Sequence, residues 1–315
     1  MITYVTEEEV VSLVNMNDAI AAVEGVGRSM ATSDAIFVPR TRLRMEHGFL
    51  HLMPASLENE GVFGYKSYTS FGGKVRFHVH LFDGKTGELL AMIEADKLGQ
   101  LRTGAASGAA TRILARRNAS SFGLVGSGYQ AESQLTAALA VHSFTSVKVF
   151  SRNYDRAKSF CEKMQKVSSA RLEAVKNVAD AAACDVVTTA TSAMAPVLFG
   201  EMLKEGSHVN AVGGNMLVKR ELDEKAVERA DVIVIDSREQ GEKECGDFLP
   251  LLEKGKLHWS DVFEYRDLFS GIAARKNEKG ITLFKSQGIA PWDVALAKVV
   301  YDRALEAKVG KGLPL

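Results

Sequence analysis

The chain has 315 residues, with 39 Lys plus Arg against 39 Asp plus Glu, 46% apolar side chains and 8% aromatic ones. It is long and apolar enough to bury a sizeable core, which excludes a disordered or collagen-like chain. Zero net charge with interspersed signs gives no electrostatic ground for a nucleic acid or an anionic membrane as main partner, and points to small-molecule chemistry.

Cys161, Cys184 and Cys245 are far apart and lack CxxC spacing, so they read as free thiols in a reducing compartment. The opening MITYVTEEEVVSLV is acidic where a signal peptide is basic. No apolar run approaches the roughly 20 residues of a membrane-spanning helix. A soluble cytoplasmic protein is expected.

In chain order, Thr6 and Glu9 have the spacing of a reciprocal helix start, and Asn17 is expected to cap a second helix carrying Ile20, Val23, Gly27 and Met30 on one side. From Ile36 to about Leu90 the period shortens to two. FVPRTRLRM, FLHLMPA, VFGYKSYT, VRFHVHLF and ELLAMIEA predict antiparallel strands. LGQLRTGAASGAATRILARR predicts a closely packed helix, and RRNASS, near residues 116 to 121, marks a domain junction. Strand and helix text then alternates through SFGLVG, SVKVFS, DVVTTAT, HVNAVG, DVIVID and ITLFKS, the pattern of a parallel sheet with helices on both faces. A last helix, from about Trp292 to Ala307, is expected to return to the first domain. The predicted architecture is α/β: a doubly wound Rossmann sheet over 119–288, plus an α+β domain over 1–118 and 289–315.

The most informative local motif is FGLVGSGYQAESQ. A strand runs through Gly126, Ser127, Gly128, Tyr129 and Gln130 to Ala131 at the mouth of a helix, which is GxGxxA in its expected context. Gly126 permits the tight turn, Gly128 lets backbone approach a pyrophosphate, and Ala131 packs helix on strand. The second strand ends Phe150, Ser151, Arg152, Asn153, with no carboxylate before Asp155. An acidic residue there would hold the ribose hydroxyls of NAD. Ser151 and Arg152 instead suit a 2′-phosphate, so NADP (NADPH) is preferred; a solvated Arg152, with NAD accepted, is the alternative. Thr191, at the end of DVVTTAT, is placed with the cofactor-binding residues.

Arg40, Arg42 and Arg44 alternate and are expected on one strand face, with Lys66 and Arg102 joining them if sheet and helix converge. Converging guanidinium and ammonium groups suit an α-carboxylate; a solvated basic face is the alternative. Arg42, Arg44, Arg76, His78 and His80 are further candidates for a second carboxylate. His78 and His80 alternate as metal ligands do, but without a Cys or carboxylate cluster no metal site is expected. In GIAPWDVALAKVV, Pro291 suits a first helical turn and Asp293 reads as a cap.

PRTRLRM with LHLMPAS, GYKSYT, EADKLGQLRTGAASGAAT, GLVGSGYQA, NAVGGN with RELD, and ITLFKSQGIAPWDVALA together resemble the ornithine cyclodeaminase and mu-crystallin family over nearly the whole chain. The resemblance implies a homodimer whose N-terminal α+β domain carries substrate binding and dimerisation, with a dinucleotide-binding domain behind it. It also implies activity on amino or imino acids. Arg40, Lys66 and Arg102 match the family's carboxylate-binding positions, Arg40 in preference to Arg42 on its spacing from MPA. Where the cyclodeaminases carry a catalytic Asp, this chain has Asn215, which cannot accept a proton.

The expected function is therefore an NAD(P)-dependent oxidoreductase of the C–N bond of a small amino or imino acid, an imine reductase or amino acid dehydrogenase, with a dicarboxylic imine among its candidate substrates. Lys66, Arg102, Arg40 and Asn215 are the expected catalytic residues, with Arg42 added for substrate binding. A cyclodeaminase-type lyase and a mu-crystallin-like NADP-dependent binding protein are the alternatives.

Overall fold

The structure is a computed structural model that describes residues 1–314. Its chain divides into two compact units, Met1–Ala105 with the stretch from Gly288 onward, and Ala106–Gln287.

The first unit begins with β1 (Ile2–Val5), α1 (Glu7–Leu13) and α2 (Met16–Ala31). Thr6 and Glu9 do form the reciprocal cap of α1. The cap of α2 is Asn15 rather than Asn17, because the Asn15 side chain reaches the backbone N–H groups of Asn17 and Asp18 while Asp18 bonds back. β2 (Ala35–Phe37), β3 (Thr41–Met45), β4 (Gly48–Leu57), β5 (Val62–Phe71), β6 (Lys74–Asp83) and β7 (Leu89–Glu94) follow. They join β1 in one eight-stranded sheet in which β3 to β7 pair antiparallel with their neighbours and β1 pairs parallel with β7.

Text expected as one strand splits into β2 and β3 around Pro39, which has no N–H to give a ladder. Arg40 therefore stands outside β3, and the three arginines do not share a strand face: Arg40 is buried, Arg42 half-buried and Arg44 exposed.

α3 (Asp96–Leu114) carries the chain from the first unit into the second, and RRNASS is the turn that follows it. The second unit comprises β8 (Ser121–Val125), α4 (Tyr129–Val141), β9 (Ser146–Phe150), α5 (Tyr154–Gln165), β10 (Arg171–Val175), α6 (Val178–Ala182), β11 (Val186–Thr189) and β12 (His208–Ala211). It continues through α7 (Glu224–Glu228), β13 (Ala230–Ile235), α8 (Arg238–Glu244), α9 (Leu249–Glu253), β14 (Phe263–Glu264), α10 (Tyr265–Phe269) and β15 (Ile281–Lys285).

All eight strands of this sheet run parallel in the order β10-β9-β8-β11-β12-β15-β13-β14. The order reverses between β8 and β11, and such a switch point opens a crevice at the carboxyl ends of the strands. Apolar cores lie on both sides: Phe122, Leu135, Val149 and Phe160 belong to one, Val187, Val209, Ile235 and Phe248 to the other.

α11 (Ala290–Ala307) and β16 (Lys311–Leu313) complete the first unit. α11 lies on β4, β5 and β6 and against α2, while β16 pairs with β1. Pro291 does stand in the first turn of α11. Among the described residues no helix is long and apolar enough to cross a membrane.

Candidate functional site

Strand register places Lys66 on the buried face of the first sheet. It pairs with Met53 of β4 and Val79 of β6, both almost fully buried. The neighbouring row on the same face is Arg42, His51, Tyr68 and Phe77. Lys66 leans toward that row, its Nζ 4.7 Å from the Phe77 ring centroid and 5.9 Å from that of Tyr68. From α3, a Cβ on Gly99 would stand only 3.2 Å from Lys66 Nζ, so the glycine leaves the ammonium its place.

Lys66 Nζ donates to Asp293 Oδ1 at 2.9 Å, and Arg102 Nε donates to the same oxygen at 3.0 Å. All three groups are buried, and Asp293 is 0% exposed. Asp293 bonds no helix N–H as a cap, so the expected capping role gives way to that of a counter-ion in an otherwise apolar stretch of α11. Two cations sharing one carboxylate oxygen keep a surplus positive charge. Because Arg102 uses Nε, its terminal nitrogens are not committed to Asp293. They lie against Gly288, whose φ of +82° and missing Cβ make the approach possible: a Cβ there would be 2.8 Å from Nη1. Arg40 Nη2 donates to the carbonyl of the same Gly288 at 3.2 Å. The structure thus brings Arg40, Lys66 and Arg102 together.

Burial, and then the guanidinium groups of Arg102 and Arg40, pull the Lys66 ammonium down to about 8 against the opposing pull of Asp293. His51 was not foreseen as a site residue. It stacks on Tyr68 with centroids 4.0 Å apart and meets Ser70 Oγ through Nε2 at 3.2 Å, while Nδ1 is buried without a hydrogen-bond partner. Burial, with Arg42 and Arg40 adding to it, pushes its pKa down to about 4, so the ring is neutral near pH 7. The signal was the alternation of FLHLMPA, which puts His51 on the face of Met53. Arg76, His78 and His80 alternate with Val79 and so occupy the other face of β6. Among the described residues no His, Cys, Asp or Glu cluster suited to a metal is found.

In the second unit, β8 ends at Gly126, with φ +120°, where a Cβ would meet the Ala190 carbonyl oxygen at 2.4 Å. Only glycine fits. Gly128 is the N-cap of α4, provides no side-chain cap, and faces open space where a Cβ would touch nothing within 4 Å. Backbone N–H groups at an uncapped helix start beside such a space fit a pyrophosphate. Ser127, Tyr129 and Gln130 line that turn, with Tyr129 56% exposed, while Ala131 is fully buried. Ser151 is half-buried and Arg152 exposed just past β9. Asn153 is taken up in capping α5.

The carboxyl ends of β11 and β12 are tied together by Glu221. Its buried carboxylate accepts from Thr189 Oγ1 at 2.9 Å and from Thr191 N, Thr191 Oγ1 and Gly213 N at 2.7 Å each. The Thr191 hydroxyl is therefore part of this brace. Lys285 holds the next residue, donating to the Gly214 carbonyl at 3.1 Å and pairing with Asp247 at 2.9 Å. Burial opposes its charge, but Asp247, Cys245 and Glu221 outweigh that and hold it above its ordinary range. Asn215 follows on this braced loop, half-buried. Among the described non-glycine residues, positive φ occurs at Ser33 and Lys308, so Asn215 is not there to serve a left-handed turn. Met194 is 60% exposed, Met216 is 41% exposed, and Trp292, of the first unit, is fully buried.

The sequence profile of the ornithine cyclodeaminase/mu-crystallin family matches residues 3–308. The alanine dehydrogenase of Archaeoglobus fulgidus is 37% identical over 97% of this chain and 96% of its own. Among solved structures, an archaeal alanine dehydrogenase dimer with bound NAD superposes with a TM-score of 0.94 at 35% identity, covering 99% of each chain. The Δ1-pyrroline-2-carboxylate reductase of Thermococcus litoralis, in complex with NADH and L-proline, gives 0.93 at 32% identity, covering 99% of this chain and all of its own.

Proposed function

The chain belongs to the ornithine cyclodeaminase/mu-crystallin family, and from that premise we propose that it is an NAD(P)-dependent oxidoreductase acting on the C–N bond of a small α-amino or α-imino acid. The observation that carries this reading is the buried pair Lys66 and Arg102 sharing one oxygen of Asp293. A surplus cation withheld from water calls for an anion, and a planar fork of guanidinium nitrogens fits a carboxylate.

Arg102 and Arg40 clamp the substrate carboxylate and fix the orientation of Cα. Lys66, as an ammonium, bonds the same carboxylate and carries the proton that the substrate nitrogen gains when C=N becomes CH–NH. Asn215 carries a neutral amide, which can hydrogen-bond a nitrogen but cannot take its proton. When bound, a nicotinamide dinucleotide would supply the hydride for imine reduction, or accept it in the oxidative direction. The turn from Gly126 to Gln130 holds its pyrophosphate, with Gly126 and Gly128 shaped as that contact requires. Ser151 and Arg152 favour NADP over NAD, because a cation and a hydroxyl receive a 2′-phosphate that an acidic residue would repel.

The protein works as a homodimer. The relative solved with NAD is a dimer, and the outer face of this chain's first sheet carries an aromatic ladder. Phe63 stacks on Phe82 at 5.2 Å and Tyr65 on His80 at 4.6 Å, with Phe63 39% exposed. A second copy covers that face. Three free, buried thiols suit a reducing, cytoplasmic setting.

The test is a panel of cyclic ketimines, and of α-keto acids with ammonia, mixed with the protein and NADPH or NADH. Loss of reduced-nicotinamide absorbance supports the proposal. Release of ammonia from ornithine without net change in the dinucleotide would identify a cyclodeaminase instead, and binding without turnover in either assay would identify a carrier.

A further inference from the structure

We propose that Asp293 is a positioning residue of the reaction: it keeps Lys66 protonated inside the buried cation cluster and turns Arg102 so that its terminal nitrogens meet the substrate carboxylate. The inference rests on the carboxylate clamp proposed above.

The geometry is specific. Asp293 Oδ1 accepts from both Lys66 Nζ and Arg102 Nε, and Oδ2 is buried with no hydrogen-bond partner. A carboxylate present only to satisfy helix donors would use them, yet the first turn of α11 has no side-chain cap. The group sits at 0% exposure, where its field is least screened. Gripping Arg102 at Nε holds the guanidinium against Gly288.

The groups that face Lys66 come from every packed element. Arg102 and Asp96 come from α3, Arg40 from the segment before β3, Arg42 from β3 and His51 from β4. Tyr68 of β5 and the Phe77 ring of β6 lie beside the ammonium, and Asp293 reaches it from α11. Of these, Asp293 is the anion hydrogen-bonded to Nζ. Burial and two guanidinium groups work against the ammonium, so removing the Asp293 charge lowers the pH at which Lys66 loses its proton.

The experiment is the pH profile of kcat/KM for Δ1-pyrroline-2-carboxylate reduction by the full chain with saturating reduced dinucleotide. Wild type is compared with Asp293→Asn and Lys66→Met. The substrate's own titration is common to all three and cancels. Wild type should lose activity as the pH rises through about 8. In D293N that limb should move down by about one pH unit or more, with kcat/KM near pH 8 reduced about fivefold or more and dinucleotide affinity unchanged. If D293N misfolds, Asp293→Ser removes the charge without adding volume. An NMR titration of lysine Nζ, with Lys66 assigned through its loss in K66M, reads the same shift without turnover.

A limb and an Nζ titration that stay put in D293N, with a uniform loss at every pH and a lower Tm, would reduce Asp293 to a structural residue and overturn the inference. A K66M variant that keeps both the limb and full turnover would instead overturn the role assigned to Lys66, whatever D293N does.

Discussion

Lys66 and Asp293 are 227 residues apart in the chain and 2.9 Å apart in the fold, both withdrawn from solvent. Such a pair is costly to build, since each charge leaves water, and removing one partner strands the other. Its position beside Arg102 and Arg40 makes sense as a prepared anion site whose remaining counter-charge arrives with the substrate.

Replacing Arg102 by Ala should lower kcat/KM for an α-imino acid about 30-fold or more, corresponding to about 2 kcal/mol for hydrogen bonds to a charged group. Dinucleotide affinity should be unchanged, because Arg102 takes no part in the turn from Gly126 to Gln130. Steady-state kinetics with a fluorescence titration of NADPH checks both. Arg102→Lys should recover little, since the fork that meets a carboxylate is lost.

The two glycines of the phosphate turn should fail differently. Gly126→Ala places a Cβ 2.4 Å from the Ala190 carbonyl oxygen at φ +120°, so the second unit should lose about 2 kcal/mol or more of stability. Gly128→Ala meets nothing within 4 Å and should leave Tm within about a degree while raising the dinucleotide Kd about tenfold, because the methyl fills the space the pyrophosphate needs. Calorimetry and binding titrations on the two variants separate these outcomes.

Much of this was legible in the sequence where the determinants are local. The turn at Gly126 and Gly128 follows from a strand, a turn and a helix adjacent in the chain, and the parallel order of the second sheet follows from alternating patterns. Asp293 was misread because its partners, Lys66 and Arg102, come from β5 and α3, while a cap needs only its own helix. Counting in twos puts Arg40, Arg42 and Arg44 on one face, but the count holds only within a strand, and β3 begins at Thr41, after Arg40. His51 escaped notice because one histidine in an apolar strand acquires meaning only when the register sets it beside Tyr68 and Arg42.

Arg152→Glu should invert cofactor preference. A carboxylate just past β9 repels a 2′-phosphate and can bond ribose hydroxyls, so kcat/KM with NADPH should fall about tenfold or more while that with NADH holds or rises. Parallel kinetics with the two dinucleotides reads the change; an unchanged ratio would place Arg152 in solvent.

His208 predicts the acid sensitivity of the second unit. It is fully buried, bonded to Thr282 Oγ1 at 2.9 Å and Asn210 Oδ1 at 3.1 Å, and burial followed by the Arg275 charge pushes its pKa down from 6.5 to about 3. The unfolded chain therefore binds the extra proton between those values. The neutral ring's contribution is fully present above about pH 6.5 and is lost as the pH falls toward about 3. The slope is about 1.4 kcal/mol per pH unit in that window. Urea midpoints across pH for wild type and His208→Gln should show a shallower acid decline in the variant.

The carboxylate clamp is tested most directly by giving the full chain, with reduced dinucleotide, Δ1-pyrroline-2-carboxylate and, in parallel, Δ1-pyrroline, which has the same C=N bond and no carboxylate. Arg40, Lys66 and Arg102 predict rapid oxidation of the dinucleotide with the first and a kcat/KM lower by about a thousandfold with the second, as the loss of several charge-assisted bonds requires. Comparable turnover of both imines would contradict the clamp and the account built on it.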